Sequence, residues 1–258
     1  MQVIGLCRFS YPAIGGFQVE HDTLDERIAY LYAEARLKER FDLLERVALP
    51  CLRAQPDQDF TLVIVIGESL PAPHLARLRD LTADMPQVQI RARPPGNHRQ
   101  VMKEVLNTTR NDLSAPCLQF RHDDDDAVSV DFVERLRQTA GQCQGLIAQN
   151  QTVAIDFCKG FTARFASDGI YAAEGYRPYF VAAMGMYVAG NCKQSIMNFA
   201  HHKIARFMPS ITIPDAPMFV RTLNAYNDSR QKGAREPELS RLTPALEGEF
   251  EARFAIRA

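Results

Sequence analysis

Residues 117–136, CLQFRHDDDDAVSVDFVERL, decide how this chain is read. A short apolar run with strand character stops at four consecutive aspartates, Asp123 to Asp126, and an amphipathic helical pattern follows. Neighbouring carboxylates repel one another, and each is costly to desolvate. Four together at a strand end therefore ask for a positive partner. A D-x-D spacing puts two side chains on one side of an extended backbone. Asp123/Asp125 and Asp124/Asp126 both meet it, and spacing does not choose between them. Mn2+ and Mg2+ take hard oxygen ligands, typically one or two carboxylates together with substrate phosphates. The competing reading is structural: Asp126, Ser129 or Asp131 caps the helix that follows.

Working outward, strand and helix signals alternate through the first half. Apolar runs at 3–9, 60–67, 87–92 and 116–121 predict strands, and 60–67 (FTLVIVIG) is unbroken, as in a parallel sheet covered on both faces. Three- and four-residue spacing predicts helices over 24–49, 74–81, 98–109 and 131–140. For the first of these, Asp22 or Thr23 is the cap, Pro50 ends or bends it, and its many charges read as a solvated face. The β-α-β-α order predicts an α/β fold with a doubly wound sheet, whose ligands bind outside the carboxyl ends of the strands. The aspartates sit at such an end. Beyond 140 the pattern is mixed. Residues 145–158 and 160–166 read as successive strands around a turn, 179–190 as an apolar strand, 195–207 as a helix and 216–223 as a late strand. Residues 245–256 are amphipathic. No linker or repeat divides the chain. The expectation is a single domain over 1–258, with a nucleotide-binding half (1–140), an acceptor half (141–230) and a C-terminal tail or helix (231–258).

Bulk composition narrows the function class. The chain has 258 residues, 46% hydrophobic and 24% charged, with a formal net charge of -1. That balance argues against nucleic acid as a partner, which calls for a basic surplus. The six cysteines (7, 51, 117, 143, 158, 192) contain no C-x-x-C pair, so a reducing, cytoplasmic location is expected. No apolar run is long enough to span a bilayer, which leaves peripheral membrane association open.

The segment FRHDDDDAVSVDFVERL resembles the metal-binding D-x-D segment of GT-A-fold glycosyltransferases, and within them a bacterial rhamnosyltransferase group. CRFS (7–10), RFDLLERVALPCLRAQPDQDFTLVIVI (40–66), AIDFCKGF (154–161), HHK (201–203) and PMFVRTLNAYNDS (217–229) resemble other segments of that group in the same order. The resemblance implies a GT-A fold, a Rossmann-like mixed sheet flanked by helices. It implies a nucleotide-diphosphate sugar as donor, a saccharide or another acceptor, and Mn2+ or Mg2+ as cofactor. Asp124, Asp125 and Asp126 would coordinate the metal or bind the ribose, with His201 and His202 as the other metal candidates; Asp123, beside them, and Asp124 would belong to the donor-binding set. Arg8, Ser10 and Glu68 would hold the nucleoside. Arg99, Gln100 and Lys103 would border the ribose, and Asn227 and Ser229 the phosphates. The resemblance has departures. Phe219 stands where the group has Trp, and Asn224 where it has a His that is itself a metal or phosphate ligand. A carboxylate must take the acceptor's proton in an inverting transfer; Glu174 and Asp156 are the candidates. Two other classes compete, a sugar nucleotidyltransferase and a nucleotide-sugar-binding protein without chemistry. The first calls for a Gly-rich, basic N-terminus, which CRFSYPAIGGF matches poorly.

Overall fold

The computed structural model describes residues 1–15, 21–226 and 237–257. Four strands carry the first half: β1 (Gln2–Arg8), β2 (Thr61–Gly67), β3 (Val88–Arg93) and β4 (Cys117–Asp123). They lie in the order β3-β2-β1-β4, all parallel. The sheet continues from β4 through β9 (Met184–Val188), β6 (Thr152–Phe157) and β10 (Ser210–Ile213). β9 is antiparallel to both its neighbours, which makes the sheet mixed. Gly5 lies opposite Phe120 in the β1–β4 register, and a side chain there would collide with the Phe120 ring. A second sheet of five strands runs β12 (Ser240–Arg241), β8 (Gly169–Tyr176), β7 (Lys159–Ala166), β11 (Phe219–Thr222) and β5 (Ala127–Val128).

The predicted helix over 24–49 is interrupted. Thr23 and Glu26 form a capping box on α1 (Leu24–Leu31), and extended Ala33 separates it from α2 (Glu34–Leu43). A π-helical turn (Leu44–Ala48) leads into α3 (Leu49–Arg53), with Pro50 inside the first turn. Proline lacks an N–H and crowds the carbonyl four residues back; the wide turn just before it relieves both. The chain therefore passes through Pro50 instead of stopping there. Arg36 and Arg40, expected on a solvated face, are buried. The remaining helices of the first half are α4 (Ala72–Leu81), α5 (His98–Thr109) and α6 (Phe132–Gln142), with a short α7 (Gln144–Ile147) after them.

In the second half β6 and β7 are consecutive in sequence, yet they do not form a hairpin. The chain changes sheet at Cys158, so β6 joins the large sheet and β7 the small one. Residues 195–207 form two 3-10 turns, Ile196–Asn198 and His201–Arg206, where one helix was expected. Ser195 and Asn198 cap each other on a single turn, extended Phe199 ends it, and extended Ala200 precedes the next. The amphipathic tail is α8 (Pro244–Phe254), which packs Phe250 and Phe254 on Phe161.

Both faces of the large sheet are buried. One packs Cys7, Phe9, Leu62, Ile64, Ile66 and Phe120 against α2, α3, α6 and the second sheet. The other packs Ile4, Leu6, Val63 and Val65 against α5 and the 3-10 turns. Double-sided burial explains the unbroken apolar run of β2; each fully buried Val, Leu or Ile contributes roughly 1.5–3 kcal/mol.

Candidate functional site

The ends of β1 and β4 meet at the aspartates. In the parallel register Leu6 lies beside Arg121 and Arg8 beside Asp123. Side chains alternate along a strand, so Arg8, Arg121 and Asp123 share the α5 face of the sheet, and His122 takes the other. There the His122 ring nitrogen Nε2 lies 3.1 Å from the Ala48 carbonyl.

The α5 face is rich in positive charge. Arg8 Nη1 is 3.3 Å from Nε2 of His98, the first residue of α5. Burial, reinforced by Arg8 and Arg121, pushes the His98 pKa down to about 3. Its ring is therefore neutral near pH 7 and accepts from the guanidinium. Burial also lowers Arg121, with Asp123 opposing and Arg8 and Arg99 adding to the effect. Burial alone would raise Asp123, but Arg121, Arg8 and Arg40 outweigh it and hold the carboxyl below its ordinary range. Asp123 is ionised among arginines. The loop after β1 closes this side: Ile14 N–H donates to Gly96 O (2.8 Å) and the Tyr11 hydroxyl to Pro94 O (2.7 Å).

The other three aspartates turn away toward α2. Arg40 Nε donates to Asp124 Oδ2 (3.0 Å), and its Nη2 closes a second contact with Asp124 Oδ1. Arg40 Nη1 donates to Asp125 Oδ2 (2.9 Å), and Asn224 Nδ2 donates to the same oxygen (2.8 Å). Asp126 Oδ1 accepts from the Thr222 N–H (3.1 Å). Burial, then Asp125 and Asp123, push the Asp126 pKa well above the usual carboxylate range. None of the four caps α6. Gln55 does so instead: Val133 N–H donates to its Oε1 (2.9 Å).

This donor set does not fit the expected cation. Asp124 and Asp125 are bonded to one guanidinium, an amide N–H2 shares the Asp125 oxygen that the guanidinium holds, and Asp126 is bonded to backbone. No three His, Cys, Asp or Glu side chains converge as a metal-binding group among the described residues.

The other expected residues divide into those near this point and those apart from it. Ser10, buried at a φ of 46°, accepts from Arg36 Nη1 (3.0 Å). Glu68, exposed, follows β2 and its N–H donates to Arg93 O (3.1 Å). Arg99 and Gln100 are exposed on the first turn of α5, with Lys103 half-buried one turn on. Gln100 Nε2 donates to Glu104 (3.1 Å). Asn227 and Ser229 lie outside the described residues.

His201 comes close to the arginine pocket. Burial lowers its pKa, and the charges of Arg121 and Asp123 reach it. Its Nδ1 is 2.6 Å from the Tyr179 carbonyl, so Nδ1 carries the proton and Nε2 keeps its lone pair. His202 is exposed, its ring edge-on to His201. Asp156 is fully buried; its Oδ2 accepts from the Tyr179 N–H (2.9 Å) and its Oδ1 is unpartnered. Burial raises its pKa to about 6. Glu174 stands on β8 in the second sheet, its half-exposed carboxylate 2.8 Å from Lys159 Nζ. Sequence reasoning missed Arg121, His98 and Arg40. Strand alternation back from Asp123 points to Arg121; nothing local points to Arg40, 84 residues from Asp124.

Residues 2–236 match the family model described as "Putative rhamnosyl transferase". The chain belongs to that family. Among curated proteins, none matches this family member. Solved structures with a similar trace include Staphylococcus aureus TarS residues 1–349 with UDP-GlcNAc (11% identity, TM-score 0.47, 88% of this chain and 60% of that one). Another is a nucleotide-diphospho-sugar transferase, so described as putative, from Desulfovibrio desulfuricans (11% identity, TM-score 0.38, 86% of this chain and 80% of that one). The family member thus spans about three-fifths of the TarS chain.

Proposed function

We propose that this rhamnosyl transferase family member is a glycosyltransferase. It moves a sugar, with rhamnose the first to test, from a nucleotide-diphosphate donor to the hydroxyl of a saccharide acceptor. One observation carries the reading: an ionised aspartate, Asp123, set among Arg121, Arg8 and Arg40 at the carboxyl ends of two adjacent parallel strands. Open α/β sheets bind their ligands there. A carboxylate accepts from ribose hydroxyls, and guanidinium groups donate in pairs to phosphate oxygens.

Transfer is read as a single displacement that inverts the sugar's anomeric carbon. The acceptor oxygen bonds to that carbon as the bond to the diphosphate breaks. The electron pair leaves with the diphosphate, beside the arginines. The acceptor's proton goes to His201 Nε2, which the Tyr179 carbonyl leaves as the basic nitrogen and which burial keeps neutral. Asp156 is a positioning residue: it holds the Tyr179 N–H while Tyr179 O holds His201. Glu174, bound to Lys159, stays outside the reaction. No step runs through a metal ion, because the aspartates that would hold one are bonded to Arg40, Asn224 and Thr222.

The six free thiols suit a reducing compartment, and we place the protein in the cytoplasm. No helix among the described residues is long and apolar enough to cross a membrane. The test is a panel of nucleotide sugars followed by thermal unfolding and by release of nucleoside diphosphate. A donor at about 100 times its Kd should add roughly 2.7 kcal/mol of stability. One or a few activated sugars should stabilise the protein and be turned over with a saccharide acceptor. A flat response across the panel would sink the proposal.

A further inference from the structure

We infer that the donor's diphosphate is neutralised here by arginines, with Arg8, Arg99 and Arg121 doing the work that a divalent cation would otherwise do. The inference rests on the transferase reading and sharpens it, since it fixes what the leaving group departs onto.

Geometry separates the acidic run into two environments. Asp123 alone faces the α5 side, beside Arg8 in the strand register and two residues along the same strand face from Arg121. Arg8 is anchored there by the His98 ring at 3.3 Å, and Arg99 follows on the first turn of α5. Asp124 and Asp125 face α2 and share the guanidinium of Arg40, which reaches both with three contacts. A cation bound by them would have to displace Arg40 into a buried site, where an unpaired guanidinium is strongly unfavourable. It would also meet Asn224, whose amide nitrogen donates at 2.8 Å to the Asp125 oxygen that would ligate it. An amide N–H2 is a donor and repels a cation.

Charge points the same way. Arg121 feels the charges of both Arg8 and Arg99, so the α5 side gathers guanidinium groups of the sign that a doubly negative diphosphate needs. Arginine is also suited to the task by shape: its planar fork spans two phosphate oxygens, and it stays charged when partly desolvated.

Calorimetric titration of the full chain with UDP, dTDP and GDP, in excess EDTA and then in excess Mn2+, tests this. The diphosphate that binds should do so in EDTA with a Kd within about threefold of its Mn2+ value, well under one charge-assisted hydrogen bond. Arg99→Gln, at an exposed position where folding is not at stake, should weaken binding in EDTA by about tenfold. Arg121→Gln, with its fold checked by circular dichroism, should weaken it at least as much. Binding that vanishes in EDTA, returns with Mn2+ and ignores Arg99→Gln would overturn the inference while leaving a metal-dependent transferase standing. No binding of any diphosphate in either buffer would remove the transferase reading itself.

Discussion

Four identical side chains stand in a row, and the two sides of one strand end treat them in opposite ways. On the α5 side Asp123 is ionised among arginines beside a closed loop, with no hydrogen bond from its carboxylate to any other described residue. On the α2 side Asp124 and Asp125 are buried and locked to Arg40, and Asp126 is held by backbone. The alternation of a β-strand makes the first division, and the turn that follows makes the second. The lesson concerns acidic runs in general. A carboxylate bonded inside the chain stabilises the fold, and only one left facing a pocket is available to a ligand. A count of aspartates does not separate the two.

The contrast can be broken from the α2 side first. Arg40→Met should remove about 3–5 kcal/mol of stability in urea unfolding, because two buried carboxylates lose their shared counter-charge. A loss under about 1 kcal/mol would mean that Arg40 is not the structural partner described. His201→Gln should lower kcat by about a hundredfold, with KM and the thermal midpoint little changed. An unchanged kcat would move the base elsewhere. Asp156 extends the contrast to a carboxylate without a positive partner. Its folded pKa of about 6 lies above the ordinary 3.8. A raised pKa means that the contribution of this group is fully present below about pH 4 and is lost as pH rises through about 6. The gap between the folded and ordinary values caps that contribution at roughly 3 kcal/mol. Asp156→Asn should flatten that part of the stability profile and leave the protein more stable than wild type at pH 7; a profile that keeps its slope would contradict the assignment. Glu174→Gln should do least. An exposed pair with Lys159 is worth about 0–1 kcal/mol, and transfer should persist.

Much of the fold was legible because double-sided burial writes itself as apolar runs. The runs at 60–67 and 116–121 appear as β2 and β4, and 98–109 as α5. The strand-end location of the aspartates was legible for the same reason. Two kinds of feature were not. The split of 24–49 falls at Ala33, where no proline or glycine marks it, and the change of sheet at Cys158 depends on pairing partners far along the chain. The fate of the acidic run depends on Arg40, which reads as one more charge on an amphipathic helix until the fold buries it. A repelling cluster signals that a counter-charge exists. It does not say whether the chain supplies it.

The most direct measurement is a crystal structure of the protein grown with a bound nucleoside diphosphate and Mn2+, read with anomalous scattering. The account predicts the diphosphate on Arg8 and Arg121, Asp123 beside the nucleoside, Arg40 still bonded to Asp124 and Asp125, and no manganese peak at those two aspartates. A manganese ion on Asp124 or Asp125, with Arg40 swung away and the diphosphate on the metal, would contradict it.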